Sequence, residues 1–166
     1  MTTLYTHHDS PIGPLLLVGR RDGDSLLLTG LYFPEDRRPE QPQPDWHEDR
    51  AAFAEVRRQL DDYFAGTRRA FDLPIELVEG SDFQRSVWTA LATIPSGATI
   101  TYGQLAERVG RPGAARAIGG AVSRNPIPIV LPCHRVIGAD GSLTGFGGGL
   151  DAKRALLALE RPGSAA

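Results

Sequence analysis

The chain has 166 residues, of which 41% are hydrophobic and 23% charged, enough to bury a real core and unlike a disordered composition. The formal charge of −2 hides an uneven spread: residues 1–80 carry 9 Arg against 15 Asp/Glu, and residues 81–160 carry 8 Arg/Lys against 5 Asp/Glu. An acidic front half thus precedes a mildly basic back half suited to a polyanion. No run approaches the roughly 18 apolar residues of a membrane span. The first residues lack the basic start and apolar stretch of a secretory leader. A single cysteine, Cys133, excludes an internal disulfide and any Cys-rich zinc site, so a reducing cytoplasm is the expected home.

Taken in chain order, Leu15–Val18 and Leu26–Leu28 are short strand-like runs. They flank Arg20-Arg21-Asp22-Gly23-Asp24, a polar turn with the Asp-Gly hairpin signal. Gly30-Leu31-Tyr32-Phe33 extends the second run, which predicts a small antiparallel sheet. Residues 34–49 hold Pro34, Pro39, Pro42 and Pro44 among charges, and read as a loop. Asp49 is placed to cap a helix through about Phe64, with Ala52, Phe53, Val56, Leu60, Tyr63 and Phe64 at helical spacing and Gly66 as its stop.

A boundary is expected near Glu79-Gly80, dividing the chain into lobes 1–80 and 81–166. Ser81 with Gln84 forms a capping box for a helix burying Phe83, Val87, Trp88, Leu91 and Ile94. Thr101 caps a second helix from Tyr102 to Val109. Gly110-Arg111-Pro112-Gly113 turns the chain into a third, Ala114 to about Arg124. Two short helices about a glycine turn make a helix-turn-helix pattern. Asn125-Pro126-Ile127-Pro128 ends it, and Ile129-Val130-Leu131 leads into Pro132-Cys133-His134-Arg135-Val136. A loop with six glycines spans 138–149, and Asp151 opens a last helix carrying Lys153 and Glu160.

Several of these residues carry chemistry in one reading and none in another. Cys133 is a nucleophile if its proton can be held by His134, its neighbour, or else a small buried apolar residue. On an extended backbone the two side chains would face opposite ways, so a bridging water or a turn is required. Tyr102 is a half-buried core aromatic or a pocket donor. Asn125 is a turn former or a clamp. Glu160 is a surface charge, or a carboxylate that orients His134; its place at a helix C-terminus is poor for the dipole and hints at the latter. The stretch Ala114–Ala121 is mostly Ala and Gly around Arg116, a smooth face for close helix packing or for entry into a groove. The glycine loop fits neither the dinucleotide nor the Walker pattern. Seventeen of the 18 basic residues are Arg, which looks like the codon bias of a GC-rich genome.

Together these features resemble the O6-alkylguanine-DNA alkyltransferases, the methylated-DNA–protein-cysteine methyltransferases. The resemblance runs through residues 81–160: Tyr102-Gly103, the Arg116 helix, Asn125-Pro126, the Pro132–Val136 pentapeptide, Gly145-Phe146-Gly147-Gly148 and Glu160. In the front half only Ser10–Leu15 is similar to the family's opening. The resemblance implies a ribonuclease-H-like N-terminal α/β lobe and a mostly helical C-terminal lobe with the helix-turn-helix. It implies direct reversal of O6-alkylguanine in double-stranded DNA by one irreversible transfer to Cys133, with O4-alkylthymine a second candidate substrate. No cofactor, metal or membrane is implied, and a monomer is expected, with cooperativity on DNA open.

Carried over residue by residue, Cys133 is the acceptor and His134 the base acting through a water. Glu160 holds the imidazole, and Asn125 supports the site. Tyr102 crowds the phosphate and donates a proton to the leaving guanine. Arg116 fills the vacated stack, while Ala115, Ala117 and Gly119 let the helix lie in the minor groove. Val136, Phe146, Gly147 and Gly148 wall the base pocket, with Phe146 standing where the family commonly has Tyr. The competing readings are a non-catalytic lesion sensor resembling alkyltransferase-like proteins, which lack the acceptor cysteine, a Cys-His hydrolase, and a transcription factor reading the major groove. The last should carry base-reading side chains on its second helix, where Ala and Gly dominate.

Overall fold

The computed structural model describes residues 2–34, 41–143, 146 and 149–161. The front half is built on a four-stranded sheet of order β3-β2-β1-β4, with β1 at Thr3–His8, β2 at Leu15–Asp22, β3 at Ser25–Tyr32 and β4 at His47–Glu48. The β2–β3 hairpin turns at the expected place: Asp22 pairs with Ser25, and Gly23 takes φ +64°. The purely antiparallel expectation is corrected, because β4 runs parallel to β1 with Leu4 opposite His47. The reason lies in the free edge of β1. Its backbone groups facing away from β2 are taken by the end of the Pro-rich segment, and Asp49 N–H also donates to Tyr5 O at 3.0 Å. Strand β4 therefore falls inside the stretch expected to be loop; residues 35–40 of that stretch lie outside the described residues.

Strand β1 itself carries no clear hydrophobic signal. Of its three buried residues, Leu4, Thr6 and His8, two are polar. His8 is made tolerable inside by its Nε2 contact to Asp61 at 2.8 Å.

Asp49 caps a 3₁₀ turn, Arg50–Phe53, which leads into α1, Ala54–Phe64. This helix lays Val56, Gln59, Leu60 and Tyr63 inward, and Gly66 follows it at φ +82°. The chain then runs along the outer edge of β3, where Leu28 N–H donates to Pro74 O at 2.9 Å and Glu76 N–H donates to Leu28 O at 3.0 Å.

The back half opens with α2, Asp82–Leu91, closed by the Ser81/Gln84 capping box. Trp88 Nε1 donates to Ala121 O at 2.8 Å, tying α2 to α4, Ala115–Ser123. Helix α3, Tyr102–Arg108, starts at a second capping box of Thr101 and Gln104. Just before it, β5 (Ile100–Thr101) pairs in parallel with β6 (Val136–Ile137). Helix α5, Leu150–Glu160, closes the described chain. One continuous apolar cluster, from Leu4 to Leu156, spans both halves. A strand of the front half also holds the loop ahead of the cysteine, since Leu31 N–H donates to Pro126 O at 2.9 Å.

Candidate active site

The cysteine is presented by a built loop. Asn125 acts as a clamp: its Nδ2 donates to Leu131 O at 2.7 Å and its Oδ1 accepts from Ile127 N–H at 3.0 Å. Leu131 O also accepts from Cys133 N–H at 2.8 Å, so the clamp is one shared carbonyl away from the thiol residue. Between them Ile129 is held at φ +74°, a conformation that costs a β-branched residue of the order of 1–3 kcal/mol and persists only where its surroundings fix it. Cys133–Arg135 form a 3₁₀ turn and not the extended run that would have set Cys133 and His134 on opposite faces.

All three residues of that turn are buried, and the polar groups among them converge on Glu160, the last residue of α5. Glu160 Oε2 accepts from His134 Nε2 at 2.7 Å, Arg135 Nη2 at 2.8 Å and Tyr63 Oη at 2.6 Å, while Oε1 accepts from Arg135 Nε at 2.8 Å. Arg135 Nη1 reaches Ile94 O at 2.6 Å. Burial pushes the Glu160 carboxyl up, but the hydrogen bonds from Arg135 and His134 overcome it and hold it at about 2. Glu160 is thus a carboxylate at neutral pH. Burial pushes the His134 imidazole below its ordinary range, against the pull of Glu160. With Nε2 engaged, the other ring nitrogen, Nδ1, is buried and has no hydrogen-bond partner among the described residues.

Lys153 is fully buried on α5, and its Nζ donates to Val136 O at 2.8 Å. Burial pulls its ammonium below the usual range, and Cys133 acts in the opposite sense, which makes the two electrostatic neighbours. Sequence reasoning missed Arg135, Lys153 and Tyr63 as site residues. For Lys153 a signal existed: it is the one lysine in a chain that otherwise uses Arg for every cation.

The remaining candidates sit on α3 and α4. Tyr102 is the first residue of α3, and the β5–β6 pairing of Ile100 with Val136 carries it beside the cysteine turn. Gly119 lies under its ring, where a Cβ would come within 3.9 Å of Tyr102. On α4, Ile118, Ala121 and Val122 are buried, while Ala115, Arg116, Ala117 and Gly120 are exposed. Arg116 has no hydrogen bond or ion pair among the described residues. Val136 is fully buried, and Phe146 packs on Phe33 of the front half with ring centroids 5.2 Å apart. Gly145, Gly147 and Gly148 lie outside the described residues. No group of three or more His, Cys, Asp or Glu able to hold a metal occurs among the described residues, and no helix there is long and apolar enough to cross a membrane.

Two family models match. One, described as 6-O-methylguanine DNA methyltransferase, ribonuclease-like domain, covers residues 3–77; the other, 6-O-methylguanine DNA methyltransferase, DNA binding domain, covers residues 82–162. The chain belongs to the 6-O-methylguanine DNA methyltransferase family. It is 54% identical over 157 residues to a methylated-DNA–protein-cysteine methyltransferase of Mycolicibacterium paratuberculosis, covering 95% of this chain and 92% of that protein. Identity to the protein of that name from Methanosarcina acetivorans is 47% over 156 residues, 94% of this chain and 97% of the relative. Among solved structures, Mycobacterium tuberculosis O6-methylguanine methyltransferase superposes with a TM-score of 0.87 at 48% identity, covering 99% of this chain and 96% of that one. The Mycobacterium tuberculosis protein solved in complex with DNA gives a TM-score of 0.85 at 47% identity, covering all of this chain and 96% of that one. The two-part methyltransferase fold, a ribonuclease-like domain followed by a DNA-binding domain, is therefore the fold of this chain.

Proposed function

We propose that this protein repairs O6-alkylguanine in double-stranded DNA by moving the alkyl group irreversibly to Cys133, once per molecule. The observation that carries this is the cysteine turn: the only thiol stands on a clamped, strained loop beside a buried His134–Glu160 pair whose other ring nitrogen has no hydrogen-bond partner among the described residues. The Cys133 S–H gives its proton through a water to His134 Nδ1. The sulfur bonds to the alkyl carbon, the carbon–O6 bond breaks, and guanine leaves with the electron pair, protonated by Tyr102. A thioether offers no easy leaving path, so the protein is spent. Lys153 and Arg135 leave the buried cluster cationic around the thiolate that forms.

O6 is out of reach inside a duplex, so the nucleotide must be flipped at a cost of a few kcal/mol. In this reading α3 and α4 are a helix-turn-helix whose second helix enters the minor groove. Its exposed Ala115 and Ala117 and half-buried Gly119 allow close approach, Tyr102 crowds the phosphate, and exposed Arg116 fills the vacated stack. Asn125 keeps the loop in shape. Val136 and Phe146 wall the base pocket, and O4-alkylthymine is a second substrate to test. The lobes are residues 1–80, ribonuclease-H-like, and 81–166. The protein acts as a monomer, without cofactor, in a compartment such as the cytoplasm that keeps its thiol reduced.

The test is mass spectrometry of the intact chain and its peptides after mixing with a duplex containing one O6-methylguanine. One methyl on the Cys133 peptide, saturating at one per chain, is the expected result. Lesion binding with no adduct would leave the sensor reading in its place.

A further inference from the structure

Tyr63 lies on α1, in the half of the chain that carries none of the residues assigned above to the chemistry. Its ring is fixed by Phe64, with centroids 5.2 Å apart, and by Phe71 at 5.3 Å. It is 2% exposed, and its hydroxyl crosses to the back half to donate to Glu160 Oε2 at 2.6 Å. On the inward face of α1, next to Val56 and Leu60, a phenylalanine would satisfy packing. A phenol there buries a polar group that is tolerable only with a partner, and Glu160 is that partner.

We propose that Tyr63 is a positioning residue for alkyl transfer: its phenol fixes the Glu160 carboxylate and draws on the same oxygen that holds His134, setting how readily the imidazole takes the Cys133 proton. This rests on the function proposed above. Oε2 receives three donors, from Tyr63, His134 and Arg135, so each one weakens that oxygen as an acceptor for the others. Burial and the adjoining carboxylate push the Tyr63 phenol far up, so it stays a neutral donor throughout the working range. The charged and titratable groups acting on His134 are Glu160 and Lys153 of α5, Arg135 of its own turn, and Tyr63 of α1 through Glu160. Removing the phenol leaves more charge on Oε2 for His134, so the imidazole holds its proton to higher pH. A stronger phenol donor does the reverse.

The experiment compares wild type, Tyr63→Phe and a full-length chain with 3-fluorotyrosine at position 63. Two readouts are taken from each: single-turnover methyl transfer from an O6-methylguanine duplex against pH, and the His134 ring titration by NMR. In Tyr63→Phe the acid limb of the rate profile and the ring titration both move up, by about half a pH unit or more. With the fluorinated ring, which keeps the shape and strengthens the donor, both move down. If neither variant moves either readout and only thermal stability changes, Tyr63 is a packing residue and the proposal is overturned. Should Tyr63→Phe fail to fold, the fluorinated chain decides alone. A wild type that transfers nothing would sink the proposed function, while the ring titration would still judge Tyr63.

Discussion

The exposed face of α4 and the buried cysteine turn are built on opposite rules. On α4 the outward residues are small, and Arg116 has no hydrogen bond or ion pair among the described residues. Around Cys133, 4% exposed Glu160 is saturated by three side chains from two separate elements, α1 and the cysteine turn. The first region keeps its polar capacity in reserve, and the second uses it to fix one geometry. In the function proposed above, recognition of any DNA sequence calls for the former, whereas moving one proton to one atom calls for the latter.

The sharpest way to break this contrast is at the thiol. Cys133→Ser should abolish methyl transfer altogether and leave lesion-duplex binding intact, as read by mass spectrometry and by gel shift. Any residual adduct would remove the turn from the chemistry. Next in size is Glu160→Gln, which strips the shared carboxylate from Arg135 and His134. Breaking a buried pair on one side costs about 3–5 kcal/mol, to be read by urea denaturation, and transfer should be lost with it. A loss under about 1 kcal/mol would mean the cluster is less dry than its burial indicates.

Arg116→Ala should act on the other region only. Transfer from duplex DNA should slow roughly tenfold, the equivalent of about 1.4 kcal/mol, with reaction on a free alkylated base unchanged. Equal losses on both would reject a role in the stack. The smallest effect is in acid. His134 is held below its ordinary value by burial, so its unfolded form binds the proton first. That contribution to stability is full above about pH 6.5 and is lost as pH falls below it. Glu160, at about 2 against an ordinary 4.5, adds a second loss between those values. The midpoint of thermal unfolding should therefore drop between pH 7 and 5, and His134→Asn should flatten that first slope. A slope identical in the variant would assign it to the other histidines.

Legibility followed the range of the interaction. The Ser81/Gln84 and Thr101/Gln104 boxes and the Asp22-Gly23 turn involve partners within a few residues, and each stands where its local pattern puts it. The pairing of β4 with β1 left no such trace, because two residues paired across about forty others carry no periodicity, and β1 hides its inward face behind Thr6 and His8. In the site, the contact between His134 and Glu160 was reachable through an ill-placed helix-end carboxylate. Tyr63 was read only as a helix-spaced apolar residue, since nothing in a tyrosine at a buried spacing says what its hydroxyl meets.

By itself the sequence determined the helices and their caps, the one thiol and its histidine neighbour, and the smooth helix around Arg116. These rest on propensities and bonds that close within a turn. Only the tertiary structure decided that Glu160 is a hub, that Arg135 of the thiol's own turn is joined there by Tyr63, with Lys153 close by, and that the front half supplies Tyr63. Buried charges must find partners wherever the fold brings them, and a pair 97 residues apart is chosen by packing, not by spacing.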